Sequence, residues 1–144
     1  MGIFLTDTEL RALSRRDAAL EGFYWNLLGR ASDMAALPGL AATNPETWWH
    51  EVLENVVTVA TAVRLKNEPV PREWVRATAL ALAALPQDAW IGPWFRDHGR
   101  QPPVGHLETA HVAMALALAL DLGYTAFSDA ERAIVAEALR TKGI

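Results

Sequence analysis

Residues 106–122 limit the possible folds most, because they form a helix-length segment that is apolar almost all round. From Val112 to Leu120, alanines alternate with larger apolar residues, so no single face of the helix is polar. Such a helix must be covered by neighbours on several sides, and small alanine side chains let those neighbours come close. We therefore predict an inner helix from about His106 to Leu122, surrounded by an outer layer of amphipathic helices.

The other predicted helices are amphipathic and carry recognisable start and stop signals. Two starts have the capping-box pattern, in which a hydroxyl and a carboxylate three residues apart satisfy free backbone N–H groups. Two further starts use Asn or Pro, which favour the first turn of a helix. The predicted starts are Thr6, Asn44, the position after Pro69-Val70-Pro71, and Ser128. The predicted ends are Gly29, with Pro38-Gly39 bracketing a short following segment, Pro86 and Gly143.

The pattern as a whole predicts an all-α protein. No segment alternates polar and apolar residues as a half-buried strand does. Short connections near Pro38, Pro69 and Gly123 favour antiparallel helical hairpins. A chain of 144 residues is long enough for one domain with its own core, and we assign residues 1–144 to a single domain.

Composition and motifs exclude several functional classes. A net charge of −4 with scattered Lys and Arg argues against nucleic-acid binding, and the lack of cysteine excludes disulfides and thiolate metal sites. His106 and His111 are five residues apart, which does not suit a shared metal ion on one helix face, and no motif for a cofactor or a catalytic nucleophile is present. The longest apolar run, 112–120, is too short to span a membrane, and residues 1–5 are too short for a signal sequence. We expect a soluble chain, cytoplasmic as it stands.

The segment 90–100 concentrates Trp, Arg and His between two predicted helices. Trp94 could stack on a sugar ring, while Arg96 could bind a carboxylate or sulfate in a forked geometry. The alternative is that the segment only packs against the helices, and for Trp90 this interpretation is favoured. Trp48, Trp49 and Trp74, on amphipathic helices, are predicted core residues.

Three polar residues at the start of the inner helix extend this candidate site. His106 lies where backbone N–H groups favour an anion, although it could simply end a Pro-rich turn. Glu108 and His111 are three residues apart and can touch, either to orient a substrate hydroxyl or as a polar strut between packed helices. The predicted substrate-binding residues are Trp94, Arg96, His106, Glu108 and His111. No catalytic residue, metal or cofactor is predicted.

About the last third of the chain resembles the N-terminal helical region of heparinase II/III-like polysaccharide lyases. The resemblance rests on five segments: Trp90–Asp97, Gly105–His111, Asp121–Gly123, Phe127–Arg132 and Ala138–Gly143. It implies an (α/α) toroid of helical hairpins around a sugar-binding cleft, and cleavage of uronate-containing glycans by β-elimination. This chain would supply only a partial toroid-like array.

The resemblance also limits what this chain is expected to do. In the family, the catalytic Asn/His motif and catalytic Tyr follow the matched region, so no catalytic role is carried onto any residue here. We expect an N-terminal piece that is inactive alone, contributes to binding an acidic polysaccharide or oligosaccharide, and forms homo-oligomers through exposed helix faces. The alternative is a stand-alone helical interaction or scaffold domain without sugar binding.

Overall fold

The structure, a computed structural model, describes Thr6 and residues 8–9, 18–36, 48–91 and 107–143. Besides the helical residues 8–9, this part of the chain forms five helices and no strand. They are α1 (Ala18–Ala35), α2 (Trp48–Lys66), α3 (Pro69–Ala84), α4 (Leu107–Leu122) and α5 (Asp129–Lys142). Short 3-10 turns follow α3 at Gln87–Trp90 and α4 at Tyr124–Ala126. The all-α prediction is confirmed.

The helices form two antiparallel hairpins, α2–α3 and α4–α5, whose first helices run in the same direction. Near the starts of α2 and α4, the ring centroids of Trp49 and His111 lie 5.4 Å apart. Just beyond the ends of the same helices, the Thr125 hydroxyl donates a 3.0 Å hydrogen bond to the Asn67 side chain. The two hairpins are therefore stacked in register.

The second helices of the hairpins are also parallel. Arg76 of α3 forms a 2.6 Å ion pair with Glu131 near the start of α5. At the other end, the Lys142 ammonium donates 2.6 Å hydrogen bonds to the carbonyl oxygens of Ala83 and Leu85. Like-directed helices thus lie side by side in both layers of the stack.

Helix α1 covers the opposite side of the α2–α3 hairpin and runs antiparallel to α2. Arg30 pairs with Glu54 at 2.7 Å, whereas Trp25, earlier in α1, lies 5.8 Å from the ammonium of Lys66 at the end of α2. Direction therefore alternates at each step from α1 to α5.

The two hairpin turns depend on special backbone positions. Asn67 has a φ of 50°, in the left-handed region that ends many helices, and its N–H donates 2.8 Å to the Val63 carbonyl oxygen. Gly123 ends α4 where a Cβ atom would lie 2.7 Å from the Ala119 carbonyl oxygen and 2.9 Å from Val75 Cγ1. The close approach of α3 to this turn therefore requires glycine.

The core lies between α2, α3 and α4, and the most extensive contact joins α2 to α4. Ala60 of α2 and Ala115 and Ala119 of α4 are fully buried, and their small side chains allow close packing of the two helices. Burying an apolar side chain of valine or leucine size contributes roughly 1.5–3 kcal/mol. Larger buried residues are Val52, Val56, Val59, Val63, Val75, Leu82, Trp90, Val112, Leu116 and Val135.

Helix α4 is an inner helix on most but not all of its surface. It contacts α2, α3 and α5, as expected for a helix without a polar face. Ala110, Met114 and Ala117, however, are exposed along one side. The prediction of an inner helix is confirmed for the sides that face those three helices, and one apolar strip remains in solvent.

The predicted end of the first helix at Gly29 is wrong. The Thr6–Glu9 capping box forms as predicted, with N–H bonds of 2.8 and 3.3 Å to the reciprocal side chains, but α1 continues through Gly29 to Ala35. Glycine costs about 1 kcal/mol in a helix interior. Beyond it, Ala31, Met34 and Ala35 pack on the core, and that burial outweighs the cost. The signals at Pro38-Gly39 and Asn44-Pro45 lie outside the described residues.

The start of α5 is fixed by the predicted capping box and by a contact with α3. The Ser128 hydroxyl accepts from the Glu131 N–H at 3.3 Å, and the Glu131 carboxylate accepts from the Ser128 N–H at 2.9 Å. These bonds from Ser128, together with the Arg76 guanidinium, hold the pKa of Glu131 below its usual value. One carboxylate therefore caps α5 and ties it to α3.

We predict that Ser128→Ala lowers the free energy of unfolding by about 1 kcal/mol, because it removes the acceptor for a free N–H in the first turn. Urea unfolding followed by circular dichroism measures the change. Thr141→Ala, whose hydroxyl bonds to the Glu137 carbonyl late in the same helix, is the control and should change the stability less. Equal losses in the two variants would contradict a capping role.

The lowered pKa of Glu131 predicts a pH-dependent contribution to stability. Because its folded pKa is below the unfolded value near 4.5, the ionised carboxylate stabilises the fold at neutral pH, and this contribution is lost as the pH falls through the folded pKa. Wild type should therefore melt above Glu131→Gln at neutral pH, and the difference should shrink at acid pH, as the pH falls through the folded pKa. A difference in melting temperature that is the same at both pH values would show that the charge is not its source.

Candidate functional site

The end of the bundle where α2 and α4 begin and α3 and α5 end contains the described part of the predicted site. We call it the Glu108 site, and it comprises Trp49, Trp90, Glu108, Thr109 and His111. Ile91, the last described residue before segment 92–106, follows the 3-10 turn that contacts α4, and Leu107, the first described residue after it, opens α4. The site therefore adjoins the Trp- and Arg-rich segment in the chain.

Trp90 is the fully buried tryptophan of the Glu108 site. Its side chain is fully buried, and its indole N–H donates a 3.1 Å hydrogen bond to the Leu82 carbonyl oxygen near the end of α3. Its own carbonyl oxygen accepts a 3.0 Å bond from the Thr109 hydroxyl. The prediction that Trp90 packs into the core is confirmed, and Thr109 is the polar link between this turn and α4.

Lys142 brings a positive charge to the same end. Its ammonium binds the Ala83 and Leu85 carbonyl oxygens and lies 5.7 Å from the centroid of the Trp90 ring. A cation is favourable at the carboxyl end of a helix and over an aromatic face. Lys142 therefore closes α3 and holds Trp90 in place.

Glu108 is the unusual residue of the site. Its side chain is only 4% exposed, and its Oε2 atom is buried without a hydrogen-bond partner. It lies on the same face of α4 as Val112 and Ala115, which are fully buried. Leaving a buried acceptor unsatisfied costs about 1–3 kcal/mol and more for a charged group, so a packing role does not account for a carboxylate here. Glu108 is the strongest candidate for ligand binding among the described residues.

His111 lies next to Trp49 and makes no hydrogen bond to Glu108. The imidazole and indole rings are tilted by 38°, and the histidine is half-buried. Both alternatives considered for the Glu108 and His111 pair assumed contact between the two side chains. The structure brings them to one end of α4 without a hydrogen bond between them, and Thr109 makes the polar link from this end of α4 to the turn at Trp90.

The other predicted binding residues, Trp94, Arg96 and His106, lie outside the described residues. Of the predicted core tryptophans, Trp49 is buried and Trp74 packs against the core, whereas the side chain of Trp48 is also outside the description. Sequence reasoning missed Thr109 and Lys142 as parts of the site. A basic residue in the last turn was the available signal for Lys142, but its acceptors belong to a different helix.

Two features do not occur in the described ranges, namely a cluster of metal-binding side chains and a membrane-spanning helix. Within them, no group of three or more His, Asp or Glu side chains could hold a metal ion. No helix in the same ranges is long and apolar enough to cross a membrane.

Comparisons with known proteins do not assign a family or a function to this chain. No family model and no curated protein matches this chain. The geometry of the Glu108 site and the sequence segments Trp90–Asp97 and Gly105–His111 are therefore the features that bear on function.

The chemistry of the site follows from its acceptor. A carboxylate accepts hydrogen bonds from hydroxyl, amide or ammonium groups, and its place in the first turn of α4 is favoured by the helix dipole. A hydrogen bond to this buried oxygen would form out of water, where such bonds are stronger. A ligand at this site would therefore have to bring a hydrogen-bond donor to Glu108.

We predict opposite effects on stability for two neighbouring substitutions. Glu108→Leu should raise the free energy of unfolding by about 1 kcal/mol, because the unsatisfied acceptor costs about 1–3 kcal/mol and the helix dipole returns only about 0.3–1 kcal/mol. Thr109→Val should lower it by about 1–2 kcal/mol, because the Trp90 carbonyl oxygen loses its donor. Urea unfolding of both variants tests this. A loss of stability in Glu108→Leu would mean that the carboxylate is structural.

Proposed function

We propose that this chain binds an oligosaccharide at the Glu108 site, as the helical part of a protein similar to heparinase II/III-like lyases. The observation that carries the proposal is the buried carboxylate of Glu108, with an unfilled acceptor oxygen at the start of α4. Sugar hydroxyls are donors of the kind that such an oxygen accepts. A binding residue that destabilises the free protein is common at functional sites.

The sequence-predicted residues of the adjoining segment would complete the contacts to an acidic sugar. Arg96 and His106 would receive a uronate carboxylate or a sulfate, and Trp94 would stack on a pyranose ring. A buried carboxyl oxygen without a donor is an acceptor, so we assign Glu108 to a hydroxyl of the same sugar. Half-buried His111 is a second contact at this end.

The arrangement of the hairpins supports the lyase-like part of the proposal. Stacked antiparallel hairpins with like-directed helices side by side are what an (α/α) toroid is built from. We propose that α1 to α5 form an arc of such an array. Since no catalytic residue is assigned, we expect binding without β-elimination.

The proposal predicts specific losses of affinity. In isothermal titration with uronate oligosaccharides, Glu108→Gln, Trp94→Ala and Arg96→Ala should each weaken binding about tenfold or more. Glu68→Gln and Arg72→Ala are the controls, because both residues are exposed near the start of α3, at the opposite end of the bundle, and they should bind as wild type. A neutral oligosaccharide of equal length should bind more weakly than the acidic one.

Three results would contradict the proposal. One is that the folded chain binds neither acidic nor neutral oligosaccharides. Another is that the site variants and the control variants lose equal affinity.

The third result concerns catalytic turnover, which we do not expect. Ultraviolet absorbance of unsaturated uronate products should stay flat when the purified chain is mixed with heparan-like or alginate-like polymers, and a rise would place catalysis within this chain.

A second candidate function is a stand-alone helical interaction domain without sugar binding. Large apolar side chains that are about half or more exposed favour it, since exposed apolar patches mark contact surfaces. They are Leu20, Phe23, Trp25, Val70, Leu107, Met114, Tyr124 and Ile134. If Glu108→Gln leaves all glycan titrations unchanged while substitutions on these faces alter assembly, this candidate is the better one.

A further inference from the structure

The carboxyl end of α3 depends on a hydrogen-bond donor from α5. The residue after Leu85 is Pro86, which has no N–H to donate back to a carbonyl oxygen of the helix. The Lys142 ammonium supplies a donor instead, with 2.6 Å hydrogen bonds to the carbonyl oxygens of Ala83 and Leu85. Hydrogen bonds from a charged donor are roughly twice as strong as neutral ones. Lys142 therefore fixes the backbone where the chain leaves α3 for the following 3-10 turn.

A short series of contacts leads from Lys142 to the start of α4. The ammonium lies 5.7 Å from the centroid of the fully buried Trp90 ring, at the end of the 3-10 turn. The Trp90 carbonyl oxygen accepts a 3.0 Å hydrogen bond from the Thr109 hydroxyl. Thr109 follows Glu108 in the first turn of α4. The end of α5 is thus linked to Glu108 through one turn and one hydroxyl.

The first turn of α4 needs such a link because it contains a destabilising group. Glu108 is 4% exposed, and its Oε2 atom is buried without a hydrogen-bond partner. Opening of this turn would return the carboxylate to water, so the unsatisfied oxygen favours the open form. The first N–H groups of a helix have no partner within it and resist opening little. The hydrogen bond from Thr109 opposes the opening, provided that the Trp90 carbonyl oxygen is held in place.

We propose that Lys142 is a positioning residue of the Glu108 site. By holding the turn at Trp90, it lets Thr109 keep the first turn of α4 closed and Glu108 buried in the position from which it binds. As a statement about ligand binding this inference rests on the proposed function, whereas the contacts behind it belong to the chain without ligand. Lys142 touches no sugar and acts only through Trp90 and Thr109.

Amide hydrogen exchange of the full chain without sugar, measured by NMR, tests the proposal. In a regular helix the N–H groups of His111 and Val112 bond to the carbonyl oxygens of residues 107 and 108, so their exchange reports opening of the first turn. Lys142→Met should speed their exchange about tenfold or more, together with that of the Trp90 indole N–H. The amide of Val59, in the buried middle of α2, should change less.

Arg140→Met is the matched control for Lys142→Met. It also removes a cation from the last turn of α5, but Arg140 is exposed and pairs with Glu137 at 2.6 Å. The exchange of His111 and Val112 should therefore stay as in wild type. Equal acceleration in the two variants would overturn the proposal.

A double-mutant comparison separates positioning from general stabilisation. In Glu108→Leu no buried carboxylate favours opening, so adding Lys142→Met should speed the exchange of Val112 less than it does in wild type. Thr109→Val breaks the same link at its other end and should speed this exchange by itself, even if Lys142→Met does not fold. Equal effects of Lys142→Met in both backgrounds, no effect of Thr109→Val, or acceleration of Val59 as large as that of Val112 would each overturn the proposal.

Failure of the proposed function would give a different result. If no variant binds sugar and the exchange follows the expected pattern, the proposed function is wrong, while Lys142 still positions Glu108. If Glu108→Gln weakens sugar binding but Lys142→Met changes neither exchange nor affinity, the proposed function stands and the role of Lys142 is wrong.

Discussion

The packing of α4 against α2 is the contact on which the rest of this structure depends. Helix α4 has almost no polar side chains between Glu108 and Asp121, so in isolation it would expose apolar surface in every direction. Fully buried alanines at positions 60, 115 and 119 let the two helices approach closely, and the valines around them fill the space. Once α4 lies in this position, the two hairpins are stacked and both turns meet at the far end through Asn67 and Thr125.

The same contact gives α4 a buried side and a solvent-exposed side. The side towards α2 carries Glu108 into the core, where its carboxylate is an exception to the rule that buried polar groups are paired. Its neighbour Thr109 obeys the rule through the Trp90 carbonyl oxygen. The opposite side carries Met114 and Ala117 into solvent. Helix α4 therefore buries an unpaired polar group on its covered side and exposes apolar side chains on its open side.

The sequence-based predictions were accurate where the interacting residues are close in sequence and less accurate where they are far apart. Capping at Ser128 and the end of α3 before Pro86 were predicted correctly, because their hydrogen bonds and steric limits lie within a few residues. Gly29 was misread, because the helix is held together there by contacts with α2 that local propensity does not include. Glu108 was identified as a candidate from its spacing, but its lack of a partner depends on which side chains surround it.

The sequence by itself determined that this protein is helical and where most of its helices begin and end. It also determined that one helix had to lie inside the bundle. These features follow from the sequence because periodicity, caps and prolines act locally. Only the tertiary structure decided that Lys142 closes α3 rather than its own helix, that His111 lies against Trp49 and makes no hydrogen bond to Glu108, and that one strip of α4 stays open. Those outcomes depend on the register between helices distant in sequence. That register is set by the summed packing of many small side chains, and no single residue encodes it.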